Sequence, residues 1–462
     1  WRLNHQAFDT PPTRPNQVGI RSMTLFIAAL ALGSLVPASG FALFDLQRQA
    51  DALSRSSPIP FWSCKNANAK RTGAAAQVGP RNISQTSWAF EETIGYGAIE
   101  ASPVIDASYN TYIGSTAGGL FAIRRNGTLF WSRRFPGRIM SPALADGILY
   151  VATSKAWVYA IDAATGASLW EREIAPTAGS DAWSVTMAQD TVLVPAITLH
   201  DDGNYRIYAL RASDGSEKWA LSLDESVYNF MPLVLGDDFI FMNRLGSVVR
   251  VSLHDGSILW KTLPVEGSFS TGGVVLGPND LVFATSNANG TRDGMVHAHS
   301  VEDGQLRWTK HFDVEAAAAP AVLDVPGMEP SVIVATGHNC MSVKGLLHTG
   351  KVVALDVETG EERWGFTPAV HVGEMAKGVE RGLGNHMEAF SVPDTWTNPA
   401  IGGDGTIYIG WHGGIVYALD GRTGAEVSKH DVGYSFQGEP AIAPGYLVVP
   451  SIFRLVAFDE GH

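Results

Sequence analysis

Cysteine is nearly missing: Cys64 and Cys340 are the only two in 462 residues, too few for a scaffold built on disulfides. Charge is sparse as well, at 17% of the chain. Basic residues are scarcest in the body. Residues 1–84 hold nine Lys or Arg against three Asp or Glu, and the remainder holds 24 against 43, a formal −19. A surface of that sign excludes nucleic acid and an anionic membrane as partners and suits a neutral or cationic ligand. Long apolar runs are lacking too. Thr24 to Val36 is the longest and falls short of the ~20 residues a spanning helix needs, so the mature chain is expected to have no transmembrane span. Gly and Pro are plentiful, at 49 and 24, as in one large all-β body with many turns.

The N-terminus reads as an address. Arg21-Ser22-Met23 precedes the apolar stretch, and the small residues Ala38-Ser39-Gly40 follow. Basic, apolar and small segments in that order make a secretory signal peptide. Residues 1–42 are therefore read as leader and signal, and the secretory pathway or the extracellular space as the destination. Ala38-Ser39-Gly40-Phe41-Ala42 also resembles the cleavage motif of proteins bound for the complex plastids of red-lineage algae. Residues 43–84, with Asp45 and Asp51 as their only acids, read as a linker or transit-like segment.

From residue 85 a repeat takes over. An apolar strand ending in Ala, a turn ending in Gly, and Trp four residues later recur as Ala122–Gly127–Trp131, Ala160–Gly166–Trp170, Ala209–Gly215–Trp219, Arg250–Gly256–Trp260, Ala298–Gly304–Trp308, Ala354–Gly360–Trp364 and Ala418–Gly424–Ser428. The Gly supplies the positive φ of a tight turn. The Ala leaves room, and the Trp fills the space between two twisted sheets. Two further strands precede each copy, six of them opening on Pro: Pro103, Pro142, Pro232, Pro320, Pro399 and Pro440. Val185-Thr186 and Gly272-Gly273 supply the other two starts. Eight starts predict an eight-bladed β-propeller of four-stranded antiparallel blades. The last copy, Arg454 to Asp459, lacks its Trp strand, whereas Ser87-Trp88-Ala89-Phe90-Glu91 is a Trp strand without its Ala and Gly. The N-terminal strand is expected to close the ring, which removes a long open edge. Trp88, Trp131, Trp170, Trp219, Trp260, Trp308 and Trp364 are then structural, buried between blades.

Ala160-Ile161-Asp162-Ala163-Ala164-Thr165-Gly166-Ala167-Ser168-Leu169-Trp170 and the stretch from Ala354 to Trp364 carry Ala-x-Asp-x-x-Thr-Gly-x-x-x-Trp. This motif resembles the tryptophan-docking repeats of the pyrroloquinoline quinone (PQQ) propeller superfamily, over 85–462. The resemblance implies the quinoprotein alcohol dehydrogenase-like fold. It implies less about activity, since the superfamily includes quinone-dependent dehydrogenases, an outer-membrane assembly lipoprotein and sensor domains without a quinone. A dehydrogenase of this kind would use PQQ with calcium, an Arg, a stacking Trp and a carboxylate base. This chain has neither the adjacent cysteines common over the quinone nor a CxxCH haem sequence.

Departures from the repeat point to the candidate site. The connection from Trp364 to Pro399 takes 35 residues where others take 11 to 16, and Ala335 to Ala354 takes nineteen where Ala152 to Ala160 takes eight. Both insertions belong to blade 6, and alternating strand directions put them on one face. They carry His338, Lys344, His348, His371, Glu374, Arg381, His386 and Glu388, and lead into Asp394, Trp396 and Asn398. Candidate ligand-binding residues are His338, His371, Glu374, Arg381, His386, Glu388, Asp394, Trp396 and Asn398. No HExxH or similarly spaced pair is present, so no metal site is assigned from spacing. Two readings stay open. One is a non-catalytic propeller whose insertion-bearing face grips a protein, a glycan or a small neutral or cationic ligand. The other is a PQQ- and calcium-dependent quinoprotein alcohol dehydrogenase.

Overall fold

In a computed structural model, residues 58–91, 97–178, 184–196, 204–264, 268–270, 273–288, 293–338, 347–373, 376–378 and 395–461 are described. Each predicted start opens an antiparallel sheet, and there are eight. Blade 1 is Val104–Ile105, Thr111–Gly114, Gly119–Ile123 and Leu129–Arg134, in that spatial order. Blades 2, 3, 4, 6 and 7 repeat it. Blade 5 departs: its innermost position is split between Ser268–Phe269 and Val274–Leu276, both paired with Leu281–Ala288. Blade 8 takes Ala441–Ala443, Tyr446–Ser451 and Arg454–Asp459 from the C-terminus, and Trp88–Phe90 as its outer strand. Trp88 lies opposite Ala457 and Phe90 opposite Leu455, so the ring closes as the sequence predicts. Among the described residues no helix is long and apolar enough to cross a membrane.

The repeat residues fit together across the joints. In every blade the Ala position, Arg250 in blade 4, is the cross-strand partner of the Trp or Ser position, as in Ala122 with Trp131. The indole then reaches into the next blade. Its N–H donates to a carbonyl of the following turn at 2.7–3.1 Å in all seven cases, from Trp88 to Arg125 O through Trp364 to Gly421 O. Its ring covers that turn's Gly, whose φ is +71° to +81°. A Cβ there would stand 2.4–2.9 Å from the ring. These glycines are therefore required twice, for the turn and for the approach. One expectation needs correcting. Trp170 is buried, but the other six are only partly so, because the indole lies at the outer strand, where one edge meets solvent.

The linker reading of 43–84 fails from Pro58 onward. Residues 62–78 run around the axis, and their backbone meets blades 1, 2, 4, 5, 6, 7 and 8 in that order. Trp62 exchanges backbone hydrogen bonds with Ile105 of blade 1. Ser63, Ala69, Lys70, Thr72, Gly73 and Val78 then offer carbonyls to Leu144, Val234, Leu276, Val322, Ile401 and Gly445 of blades 2, 4, 5, 6, 7 and 8. Blade 3 is reached by Arg71, whose Nη2 donates to Thr186 Oγ1 at 2.5 Å. The innermost strand of a blade is a sheet edge with unpaired N–H groups, and the collar's carbonyls satisfy one of them in each of blades 1, 2, 4, 5, 6 and 7. Composition cannot reveal such a role, because the collar's polar backbone finds its partners only in the assembled ring. Asn66, Ala67 and Arg71 take positive φ values of 60°, 76° and 57°, a local cost sustained by the surrounding bonds.

The collar's inward side chains build a buried polar centre. Asn66 N–H donates to Glu439 Oε1, and Asn398 Nδ2 donates to Glu439 Oε2 at 2.8 Å. Arg71 is fully buried and donates to Lys65 O and Pro232 O. Burial pushes the Glu439 carboxyl up, opposed by Lys65 and by the hydrogen bonds from Asn66 and Asn398. Cys64, also buried, is a free thiol, pushed up by burial. Cys340 lies outside the described residues.

Candidate functional site

The two long connections of blade 6 meet. Leu347–His348, in the loop between the second and third strands, pairs with His371–Val372, in the connection to blade 7. His348 stands opposite His371. The turn after the second strand of blade 7, Thr406–Trp411, adds His412. Ring centroids are 4.6 Å apart for His348 and His412, 5.2 Å for His348 and His371, and 5.7 Å for His371 and His412. Trp411 lies 4.3 Å from His412 and 4.6 Å from Trp396, so a pair of indoles backs His412.

His348 and His412 are buried, whereas His371 is partly exposed. His348 Nε2 lies 2.8 Å from Gly373 O. A carbonyl only accepts, so Nε2 carries the proton and Nδ1 keeps a bare lone pair. That Nδ1 is buried without a hydrogen-bond partner among the described residues, and so are both ring nitrogens of His412. Burial, reinforced by His348 and His371, pushes His412 down to about 3. Burial first, then His371 and His338, pushes His348 down, against the Gly373 hydrogen bond. Both rings are thus neutral at physiological pH. Blade 5 shows the ordinary solution to the same burial. His297, pushed down to about 4 chiefly by burial, meets Ser286 Oγ at 2.8 Å and Thr309 Oγ1 at 3.1 Å. The difference lies in the unmet nitrogens.

Of the residues singled out from the sequence, His371 joins this cluster, and His338 is exposed close enough to His348 to act on it. Trp396 is sealed instead: its indole N–H donates to Thr336 O at 3.0 Å and its ring packs on Trp411. Asn398 belongs to the collar's polar centre and also accepts from Ala319 N at 2.9 Å. Glu374, Arg381, His386, Glu388 and Asp394 lie outside the described residues. The sequence reading missed His412, Glu439 and Arg71. His412 carried a signal: Trp411-His412 stands where blade 1 has Ser115-Thr116.

A PQQ-repeat family model described as outer membrane protein assembly factor BamB matches residues 71–172, 154–268 and 244–364. The chain belongs to this PQQ-repeat family. Outer membrane protein assembly factor BamB of Moranella endobia (strain PCIT) is 27% identical over 198 residues, covering 39% of this chain and 47% of the relative. Polyvinylalcohol dehydrogenase of a Pseudomonas species is 22% identical over 462 residues, covering 89% of this chain and 63% of the relative. The chain thus spans between 47% and 63% of the length of these two relatives. Among solved structures, a europium-containing methanol dehydrogenase aligns with a TM-score of 0.65 at 12% identity, covering 89% of this chain and 100% of its own. BamB from Moraxella catarrhalis aligns at 0.57 and 17% identity, covering 82% and 98%. At such identities the likeness is one of fold.

Membership in the PQQ-repeat family makes a quinone with its calcium ion the group to test. The buried centre holds the residue types that group would need: the Glu439 carboxylate, the Asn398 amide and the Arg71 guanidinium. All three are already engaged with the collar or with main-chain carbonyls. With residues 62–78 seated, the centre does not fit the quinone.

Proposed function

We propose that this PQQ-repeat propeller is a non-catalytic binding protein that uses the insertion-bearing face between blades 6 and 7. The observation that carries this reading is the occupied centre. Glu439, Asn398 and Arg71 bond to the chain's own collar and strands, so the polar groups most suited to a redox cofactor serve the fold instead. The convergence of the blade 6 connections at His348 and His371 supports that face as the place of contact, since binding surfaces gather where loops depart from a rigid repeat. The name assembly factor, borne by relatives in this family, makes a protein the first partner to test. A glycan or a small neutral or cationic ligand suits the acidic body equally. The site of action proposed is the secretory pathway or the extracellular space, with a complex plastid as the alternative.

The test is titration of the purified full chain with PQQ and calcium by calorimetry, followed by dye-linked oxidation of assorted alcohols. Neither heat of stoichiometric binding nor turnover is expected. The polyvinylalcohol dehydrogenase relative, alignable over 89% of this chain, keeps the opposite reading in play. Saturable PQQ uptake that is lost on Asn398→Ala or Glu439→Gln would replace the binding protein with a PQQ- and calcium-dependent alcohol dehydrogenase.

A further inference from the structure

We infer that His348, His371 and His412 form a site for one divalent transition ion of the zinc type, which pins three loops of blades 6 and 7 together. The inference stands apart from the binding reading above and uses only the geometry of the cluster.

Three features of the imidazoles converge. The first is spacing. An ion held tetrahedrally by imidazole nitrogens at about 2.0–2.1 Å sets the ring centroids of its ligands roughly 5 Å apart. The three centroid separations are 4.6, 5.2 and 5.7 Å. The second is the state of the nitrogens. Gly373 O takes the Nε2 proton of His348 at 2.8 Å and so leaves Nδ1 as the donor atom. Metal-binding histidines are oriented this way, with the far N–H fixed by a carbonyl or carboxylate. The third is the unmet need. His348 Nδ1 and both nitrogens of His412 are buried without a hydrogen-bond partner among the described residues, and a buried polar atom left so has lost its water with nothing to replace it.

The surroundings suit a soft-to-borderline ion over calcium or magnesium. Three imidazoles offer nitrogen, which zinc, copper and nickel accept and hard cations do not favour. Among the described residues no trio of His, Cys, Asp or Glu already stands in a ligating arrangement. With His348 held by Gly373 O, binding therefore includes a turn of the His371 and His412 rings that brings their nitrogens towards His348 Nδ1. The ligands come from the second-to-third loop of blade 6, its connection to blade 7, and the second-to-third turn of blade 7. An ion there would cross-link loops joined locally by a two-residue ladder, with a fourth position left for water or an incoming donor.

The experiment uses the full chain without an affinity tag, stripped with a chelator and then dialysed. Zinc chloride is titrated by calorimetry, and cobalt(II) is used as a spectroscopic stand-in. The expected result is one zinc per chain, a cobalt spectrum of tetrahedral type, and a raised melting temperature with zinc. His371→Asn, at a partly exposed ring, should weaken zinc binding at least about tenfold and abolish the cobalt bands. His348→Asn should do the same. His254→Asn, at an exposed turn in blade 4, should change nothing. Should His348→Asn fail to fold, His371→Asn alone decides. Substoichiometric zinc uptake by the folded wild type, or uptake unchanged in His371→Asn, overturns the site.

Discussion

At the joint between blades 2 and 3, Trp170 crosses the gap, donates to Ala212 O at 2.8 Å and covers Gly215. At the joint between blades 7 and 8 the corresponding residue is Ser428, too short to cross. The gap is closed from the other side by Pro80 to Ile83, just after the collar. Ser428 Oγ donates to Arg81 O at 2.6 Å and accepts from Ile83 N at 3.0 Å, while Tyr408 Oη donates to Pro80 O at 3.1 Å. Ile83 is fully buried. Seven joints thus use a side chain that travels with the repeat, and one uses main chain from the far end of the sequence. The ring itself is sealed inside blade 8, where Trp88 lies opposite Ala457; the joint beside that seam is closed by contacts long-range in sequence, whereas the other joints are local.

The comparison breaks most readily at the seam. Removing Ser87 to Glu91 takes away the outer strand of blade 8 and with it Trp88, the indole that covers Gly127. The largest loss in the molecule is expected: no cooperative thermal transition by circular dichroism, since one whole sheet edge and one joint open together. A variant that melted like the parent would show that the seam contributes no more than an ordinary surface strand. Next in size is a single ordinary joint. Trp219→Ala empties the space over Gly256 and leaves Leu253 O without its donor. Because the ring is partly exposed, the cost should fall near the lower end of the range for such truncations, about 3 kcal/mol, read as a shift in the denaturation midpoint. Zinc affinity at the blade 6–7 cluster should not change, since that cluster shares no contact with this joint.

The same contrast explains what the sequence made legible. The seven indole joints follow from spacing alone, because Ala, Gly and Trp act within one hairpin and its neighbour. Ring closure was also readable, as an incomplete repeat at each end. The collar was not. Trp62 to Val78 has no period and few charges, and its order comes from inner edges that exist only once the ring is built. The candidate site was half legible. Insertion lengths led to His371 and its neighbourhood, but His412 sits in a turn of ordinary length, and only the bulk of Trp411-His412 marked it. Trp396 and Asn398 were singled out as chemistry-bearing types, yet one packs against Trp411 and the other bonds Glu439. Residue type gives the capacity for chemistry, and the partners decide whether that capacity is already used.

The smallest expected effect is the most discriminating for the eighth joint. Ser428→Ala removes one hydroxyl that serves as donor to Arg81 O and acceptor from Ile83 N. Two main-chain groups lose a partner, but Ser428 is itself partly exposed, so water can replace part of what is lost. The cost should be about 1 kcal/mol, well below that of Trp219→Ala, and Ser428→Thr, which keeps the hydroxyl, should recover much of it. If Ser428→Ala instead cost as much as losing an indole, the hydroxyl would be the true counterpart of the ring. The burial of Ile83 would then be incidental. The small value is favoured because the eighth joint spreads its closure over several groups: Ile83 in the apolar gap, Tyr408 on Pro80, and Arg81, whose backbone N–H donates to Glu460 at 2.9 Å. An indole concentrates the same tasks in one residue, and that concentration makes its removal costly.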